Sequence, residues 1–339
     1  MSEDQKPKDE GTQGVSSTVA SSQPQRRSTF DPVQYVKDLM ASNKDMSVAV
    51  AAIHALTETL RQSTASTIMG LEIDLKAATD QLKRMNQASM SLESGCELFG
   101  RYVTRTSLDS SDFEHCKKLL IERGEIFGKS AMNARNAIAT FVDRFVRDGQ
   151  TLFVQGYSRV VIHALLHSAH VQKKHFTVFV AEGRPNCSGY ATAKALKDAG
   201  IPVVLVPDTA VAALLGDVDF VLMGAEAVVE SGGIISRVGS LQVAMLAKAL
   251  SKPVYVLAES YKFARVFPLT QKDVPQSQNE VFVPVQVTES GHMVNLDPTT
   301  EVRNISSDYT PPRHIDLLFT DLGILTPSAV SDELIKLYL

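Results

Sequence analysis

Tryptophan is absent, cysteine occurs only three times in 339 residues, and aromatic residues make up just 6% of the chain. The thiols Cys96, Cys116 and Cys187 are odd in number and far apart, so they supply neither a disulfide framework nor the paired spacing of a zinc site. A reducing compartment fits that usage. No apolar stretch approaches the roughly 18 residues a membrane span requires, and the chain opens on Ser2, Glu3, Asp4 and Lys6 in place of a signal-peptide core. The expectation is a cytosolic protein with no membrane partner. Positive charge is not in excess either, since 34 Lys and Arg against 38 Asp and Glu leave a formal net charge of −4. No global field therefore draws the chain to DNA, and any phosphate recognition has to be local.

What is present is a globular composition, 44% hydrophobic, over a length that allows about two domains. Residues 1–29 are Ser, Thr, Gln, Gly and charge, too polar to offset the entropy of ordering, and read as a disordered tail. From 30 to 149 the pattern is helical. Asp31 suits an N-cap with Pro32 at the first helical position. Met46, Val50, Ile53, Leu56 and Leu60 form one stripe, and Ile68, Leu71, Leu75, Ala78, Leu82 and Met85 form another. A third segment runs near Leu92–Tyr102, and a long fourth carries Phe113, Cys116, Leu120, Phe127, Ala131, Ala134, Ile138, Phe141 and Phe145 up to Asp148-Gly149. Each stripe has to be buried against its neighbours, which implies an N-terminal helical bundle.

From 150 to 339 the rhythm changes. Short β-branched or apolar runs at 151–154, 176–181, 202–206, 220–223, 253–257 and 315–319 read as strands, with helical stretches around 160–171, 190–199, 211–215 and 241–250 between them. Repeated β-α-β units imply a doubly wound, largely parallel sheet, hence an α/β fold. Ligands of such sheets sit beyond the carboxyl ends of the strands, so the residues after each strand are the ones that carry chemistry.

Several tempting motifs fail on spacing or context. Gly124-Glu-Ile-Phe-Gly128-Lys129-Ser130 has one residue too few between its glycines for a phosphate loop and lies inside a helical pattern, where its amides are already used. No G-x-G-x-x-G follows a strand, which weakens a dinucleotide reading. His163, His167 and His170 share a helical face without a carboxylate among them, and a solvated face or interface is favoured over a metal. Cys187 follows a strand, but without a basic neighbour its thiol reads as a small buried group and not a nucleophile. No catalytic residue, metal or cofactor is assigned.

Three loops after strands are more informative: Gln155-Gly156-Tyr157-Ser158-Arg159, Glu182-Gly183-Arg184-Pro185-Asn186, and Gly224-Ala225-Glu226 with the following Ser231-Gly-Gly and Ser236-Arg237-Val238-Gly239. Each joins small residues to a charge or hydroxyl at a helix start, where amides and an Arg fork can hold phosphate oxygens. Ser158, Arg159, Arg184 and Arg237 are the candidate phosphate-ester pocket, with Glu226 as the one acid facing it. Arginines that merely tie loops together or lie in a subunit interface would look the same.

At these loops the sequence resembles the alpha/beta/delta subunit family of translation initiation factor 2B, its alpha branch above all, and more distantly the sugar-phosphate isomerases of that superfamily. The resemblance is carried by Gly156-Tyr-Ser-Arg-Val-Val, Glu182-Gly-Arg-Pro, Gly224-Ala-Glu, Glu230-Ser-Gly-Gly-Ile-Ile, Val256-Leu-Ala-Glu-Ser-Tyr-Lys-Phe, Phe267-Pro-Leu, Tyr309-Thr-Pro-Pro through Leu318, and Thr320-Asp-Leu-Gly. It spans nearly everything from residue 30 onward. It implies a Rossmann-like α/β domain and a regulatory role in a guanine nucleotide exchange complex whose exchange chemistry resides in the epsilon subunit. By the same resemblance, the alpha chain is a homodimer bridging a decamer with beta, delta, gamma and epsilon subunits. Its helices help receive initiation factor 2 and sense phosphorylation of that factor's alpha subunit. The isomerases place a Cys where this chain has Gly156, an Asp where it has Glu226, and Asn-Lys where it has Ser236-Arg237. Glycine has no titratable group, so the resemblance implies lost isomerase catalysis, with a sugar phosphate or nucleotide as an occupant that binding alone would still admit and Arg184 as its firmest contact. An active sugar-phosphate isomerase using Glu226 as base is the alternative.

Overall fold

In the computed structural model, residues 30–43, 45–86, 89–104, 112–276, 299 and 305–338 are described. The expected tail at 1–29 lies outside them.

Five helices come first: α1 (Pro32–Ser42), α2 (Val48–Gln62), α3 (Ile68–Met85), α4 (Met90–Thr104) and α5 (Phe113–Asp143). Asp31 caps α1 by accepting from the Val33 and Gln34 amides, and Ser47, Thr67 and Asp112 cap α2, α3 and α5. The stripes read from the sequence meet in one core around α2, which buries Val50, Ile53, Leu56 and Leu60 against Leu71, Leu75, Leu92, Phe99 and Leu120. Gly124 and Gly128 belong to the α2–α5 contact. A Cβ at Gly124 would stand 2.7 Å from Thr57 Oγ1, and one at Gly128 would stand 3.4 Å from the His54 ring. Those glycines let two helices approach closely, which explains the string that mimics a phosphate loop.

The α/β half follows: β1 (Thr151–Val154), α6 (Arg159–Leu166) running into a π turn at His167–Val171, β2 (Thr177–Ala181), α7 (Ser188–Asp198), β3 (Val203–Val206), α8 (Val211–Leu214) and β4 (Phe220–Gly224). Next come β5 (Ala227–Val229), β6 (Ile234–Arg237), α9 (Ser240–Ala249), β7 (Val254–Leu257), β8 (Phe263–Ala264), β9 (Ser307–Thr310), β10 (Leu317–Thr320), β11 (Gly323–Leu325) and α10 (Val330–Tyr338). The main sheet has seven strands in the order β11-β10-β7-β4-β1-β2-β3, all pairs parallel except β10–β11. Strand order departs in opposite directions from β1 and β4, so the crevice beyond their carboxyl ends is the topological switch point. A second sheet, β8-β5-β6-β9, stands beside it.

Candidate functional site

At that switch point a cleft of about 540 Å³ opens between the two halves of the chain. The α/β half contributes Gln155, Ser158 and Arg159 after β1, Glu226 after β4, Ser236 and Arg237 on β6, and Glu259 and Lys262 after β7; the helical half contributes Ser47, Ser89, Ser91 and Arg135. Close packing shapes the floor. A Cβ at Gly224 would collide with Ser158 Oγ, so only glycine lets β4 end beside the start of α6. Gly156 has φ +61°, the left-handed region that side chains disfavour, and a Cβ there would lie 3.1 Å from Ser188 Oγ.

Four of the five residues expected in a pocket are gathered here: Ser158, Arg159, Glu226 and Arg237. Arg184 is not brought to the cleft. Its loop is pinned toward β3, where Asp208 accepts from the Gly183 and Arg184 amides at 3.0 and 2.7 Å, and its guanidinium turns to Glu182 at 3.3 Å. Nor is Glu226 the one acid facing the cleft, since Glu259 shares it. The histidines do not act as a set: His163 meets Asn136 at 2.8 Å, while His170 meets the Ala199 carbonyl at 2.8 Å. Among the described residues, no three His, Cys, Asp or Glu side chains gather into a group that could hold a metal ion.

Several of the gathered residues already have work inside the chain. Arg159 Nη1 donates to the Met46 carbonyl at 2.6 Å and so fastens the α1–α2 loop to the start of α6. Glu226 Oε1 accepts from Ser91 Oγ at 2.7 Å, Ser89 Oγ at 3.1 Å and the Ser91 amide at 3.4 Å. Because the Ser89 carbonyl receives the Glu93 amide and its hydroxyl the Leu92 amide, Ser89 begins α4, and Glu226 places a carboxylate at a helix N-terminus where it is stabilised. Ser236 Oγ donates to the Gly224 carbonyl at 2.9 Å.

Glu259 is the centre of the buried part. It is 1% exposed, paired with Arg135 at 3.1 Å and Lys262 at 2.8 Å, and it accepts from the Tyr261 hydroxyl at 3.0 Å. Ser47 Oγ in turn lies 3.1 Å from Tyr261 Oη. Lys262 also donates to the Ala225 carbonyl at 2.9 Å, and Arg135 to the Asp45 carbonyl at 2.8 Å. Burial by itself would raise the Glu259 carboxyl, but Lys262 and Arg135 outweigh it and hold it at about 2. The same burial, with Glu259 alongside, pushes the Tyr261 hydroxyl up. Outside the cleft lining, next to Ser307, Asp308 receives the Gly239 and Leu241 amides at the start of α9 at 2.7 and 3.1 Å, yet burial pushes its carboxyl up to about 6.

Sequence reasoning missed Arg135, Glu259 and Lys262 as site residues. Arg135 carried a readable signal, a charge four residues after Ala131 on an apolar stripe, and Glu259 stands two residues past a strand end.

The site thus defines a class: a doubly wound α/β fold with a cationic interdomain cleft whose acids are held by internal partners. Comparison with known proteins agrees in family. The model of the initiation factor 2 subunit family matches residues 42–327, and the chain belongs to that family. It is 45% identical over 306 residues to translation initiation factor eIF2B subunit alpha of Dictyostelium discoideum, covering 89% of this chain and 95% of that one. Identity is 33% over 303 residues to the same-named subunit of Caenorhabditis elegans, covering 88% and 96%. A ribose 1,5-bisphosphate isomerase of Haloferax volcanii is 27% identical over 298 residues, covering 86% and 87%. Among solved structures, the tetrameric eIF2B-beta2-delta2 complex from C. thermophilum shares the fold at a TM-score of 0.70 and 21% identity, with 91% and 94% coverage. The Pyrococcus horikoshii OT3 translation initiation factor eIF-2B does so at 0.67 and 18%, with 90% and 98% coverage.

Proposed function

We propose that the chain is a non-catalytic, alpha-type regulatory subunit of the guanine nucleotide exchange factor for translation initiation factor 2. The observation that carries this reading is the 45% identity to the Dictyostelium alpha subunit over 95% of that protein. On this reading the chain works in the cytosol, pairs with a second copy through its α/β half, and bridges a decamer with beta, delta, gamma and epsilon subunits. The helical half then helps receive initiation factor 2 and register phosphorylation of its alpha subunit. The test is nucleotide exchange by the assembled complex with and without this chain. Basal exchange should persist without it, while inhibition by phosphorylated initiation factor 2 should weaken; undiminished inhibition overturns the regulatory role. Native mass spectrometry of the isolated chain should give a dimer, and a lone monomer counts against the bridging role.

The 27% identity to an isomerase makes the alternative concrete. Two observations speak for binding over turnover. Gly156 offers no titratable group, and Glu226 is engaged by two hydroxyls and an amide. Ribose 1,5-bisphosphate should therefore pass unchanged. The cleft cations Arg159, Arg237 and Lys262 favour a phosphate ester as occupant, a sugar phosphate or a nucleotide. Ribose 5-phosphate should raise the melting temperature, Arg237→Ala should abolish that rise, and Arg184→Ala should keep it. Loss with Arg184→Ala alone would move the site away from the cleft.

A further inference from the structure

Helix α4 is gripped by the α/β half at both of its ends. At the first end Glu226 holds the hydroxyls of Ser89 and Ser91 and the Ser91 amide. At the other end Arg101 lies over the ring of Tyr338, 4.9 Å from guanidinium carbon to ring centroid, while Arg265, just past β8, approaches the same ring at 5.5 Å. One cation comes from the helical half and one from the α/β half, and both meet the same aromatic ring. The Tyr338 hydroxyl points at the Phe263 carbonyl at 3.5 Å. Tyr338 is itself fixed, because α10 buries Val330 and Leu334 in the core of the main sheet. Burial and nearby Glu97 push its hydroxyl up to about 12, so the ring stays neutral at working pH, the state that attracts both guanidinium groups.

Between these ends α4 sinks Leu92, Cys96, Phe99 and Val103 into the helical core, which also takes in Tyr261 of the α/β half. A helix of 15 residues is a rod of about 22 Å, stiff enough to carry a displacement from one end to the other. We propose that α4 is a two-ended coupling strut: Glu226 in the cleft and Tyr338 at the C-terminal helix hold the same rod, so releasing either end loosens the other. A change in the partners of the cleft acid is thereby felt at the far side of the helical half, and the dependence runs equally in both directions.

Hydrogen–deuterium exchange of the full chain, read peptide by peptide, tests this. Glu226→Ala should speed exchange about tenfold at 101–104 and along α10, far from the substitution, and Tyr338→Ala should do the same at 91–95. Glu226→Gln keeps an acceptor for Ser91, and Tyr338→Phe keeps the ring, so both should stay within about twofold of the parent. Should Tyr338→Ala not fold, Arg101→Gln removes the helical-half cation from the ring without touching the core and should act alike. Acceleration confined to the substituted end, or absent at both, overturns the coupling.

Discussion

Replacing Glu259 by Gln removes one charge from a buried polar cluster while keeping its size and an acceptor for the Tyr261 hydroxyl. The carboxyl is held at about 2 against an ordinary 4.5, a difference of about 2.5. At about 1.4 kcal/mol per unit, that is a contribution of about 3 kcal/mol from the ionised form. The variant also leaves Arg135 and Lys262 facing one another with no anion between them, and breaking a buried pair costs about 3–5 kcal/mol. A loss of about 3 kcal/mol at pH 7 is the expectation. Because the folded carboxyl is depressed, its stabilisation is complete above the unfolded value near 4.5 and disappears as the pH falls through about 2. The gap between parent and variant should therefore be constant from pH 7 to about 5 and shrink below that. Urea melts at several pH values measure it, followed by far-ultraviolet circular dichroism because the chain has no tryptophan to report fluorescence. A gap under about 1 kcal/mol at pH 7, or one that widens on acidification, refutes the assignment of Arg135, Glu259 and Lys262 as a net stabilising triad.

Three further outcomes are expected. Gly156→Cys puts a side chain at φ +61° and should cost about 1–2 kcal/mol in a thermal melt while giving no turnover of ribose 1,5-bisphosphate, since a thiol alone supplies no free acid beside it. Asp308→Asn should stabilise the protein by about 3 kcal/mol above pH 7: a carboxyl raised to about 6 favours folding fully below its unfolded value near 3.8 and loses that advantage as the pH rises through 6. The parent and this variant should converge near pH 4, and a variant less stable at pH 8 would contradict the sign. Iodoacetamide should label only Cys187 in the native protein, because Cys96 and Cys116 are buried and burial pushes the Cys96 thiol up to about 12; all three should react in denaturant.

Legibility followed the strength of each local pattern. The long stripes of α2, α3 and α5 and the six apolar runs of the main sheet announce themselves, because a buried face imposes period 3.6 and a buried parallel strand needs an unbroken apolar run. The strands β5, β6, β8 and β9 did not. They are two to four residues long, and all four are buried at nearly every position, so there is no alternation to read and pairing across distant turns makes them a sheet. The C-terminal helix α10 is short in the same way. In the cleft, residues contributed by the loops after β1 and β4 were visible as small-plus-charged clusters, while Glu259 and Lys262 after β7 were not. The pairing of Arg135 was not, because its partner Glu259 stands 124 positions away and only the folded chain brings them together. Arg184 shows the converse error. Its loop has the composition of a phosphate site, but β2 lies on the side of β1 away from β4, and Asp208 draws the loop outward.

These placements also bear on chemistry. An aldose–ketose isomerisation requires one group to take a proton from carbon and another to give one to oxygen, so at least one acid in the cleft has to change its protonation state near neutrality. Glu259 cannot, being held ionised down to about pH 2 by two cations that themselves line the cleft. Glu226 is the other carboxylate that lines the cleft, and its Oε1 accepts from three donors at the start of α4. Of the cations that line the same cleft, Arg159 donates to the Met46 carbonyl and Lys262 is paired with Glu259. Both acid positions therefore fasten the two halves of the chain together, Glu226 through Ser89 and Ser91 and Glu259 through Arg135.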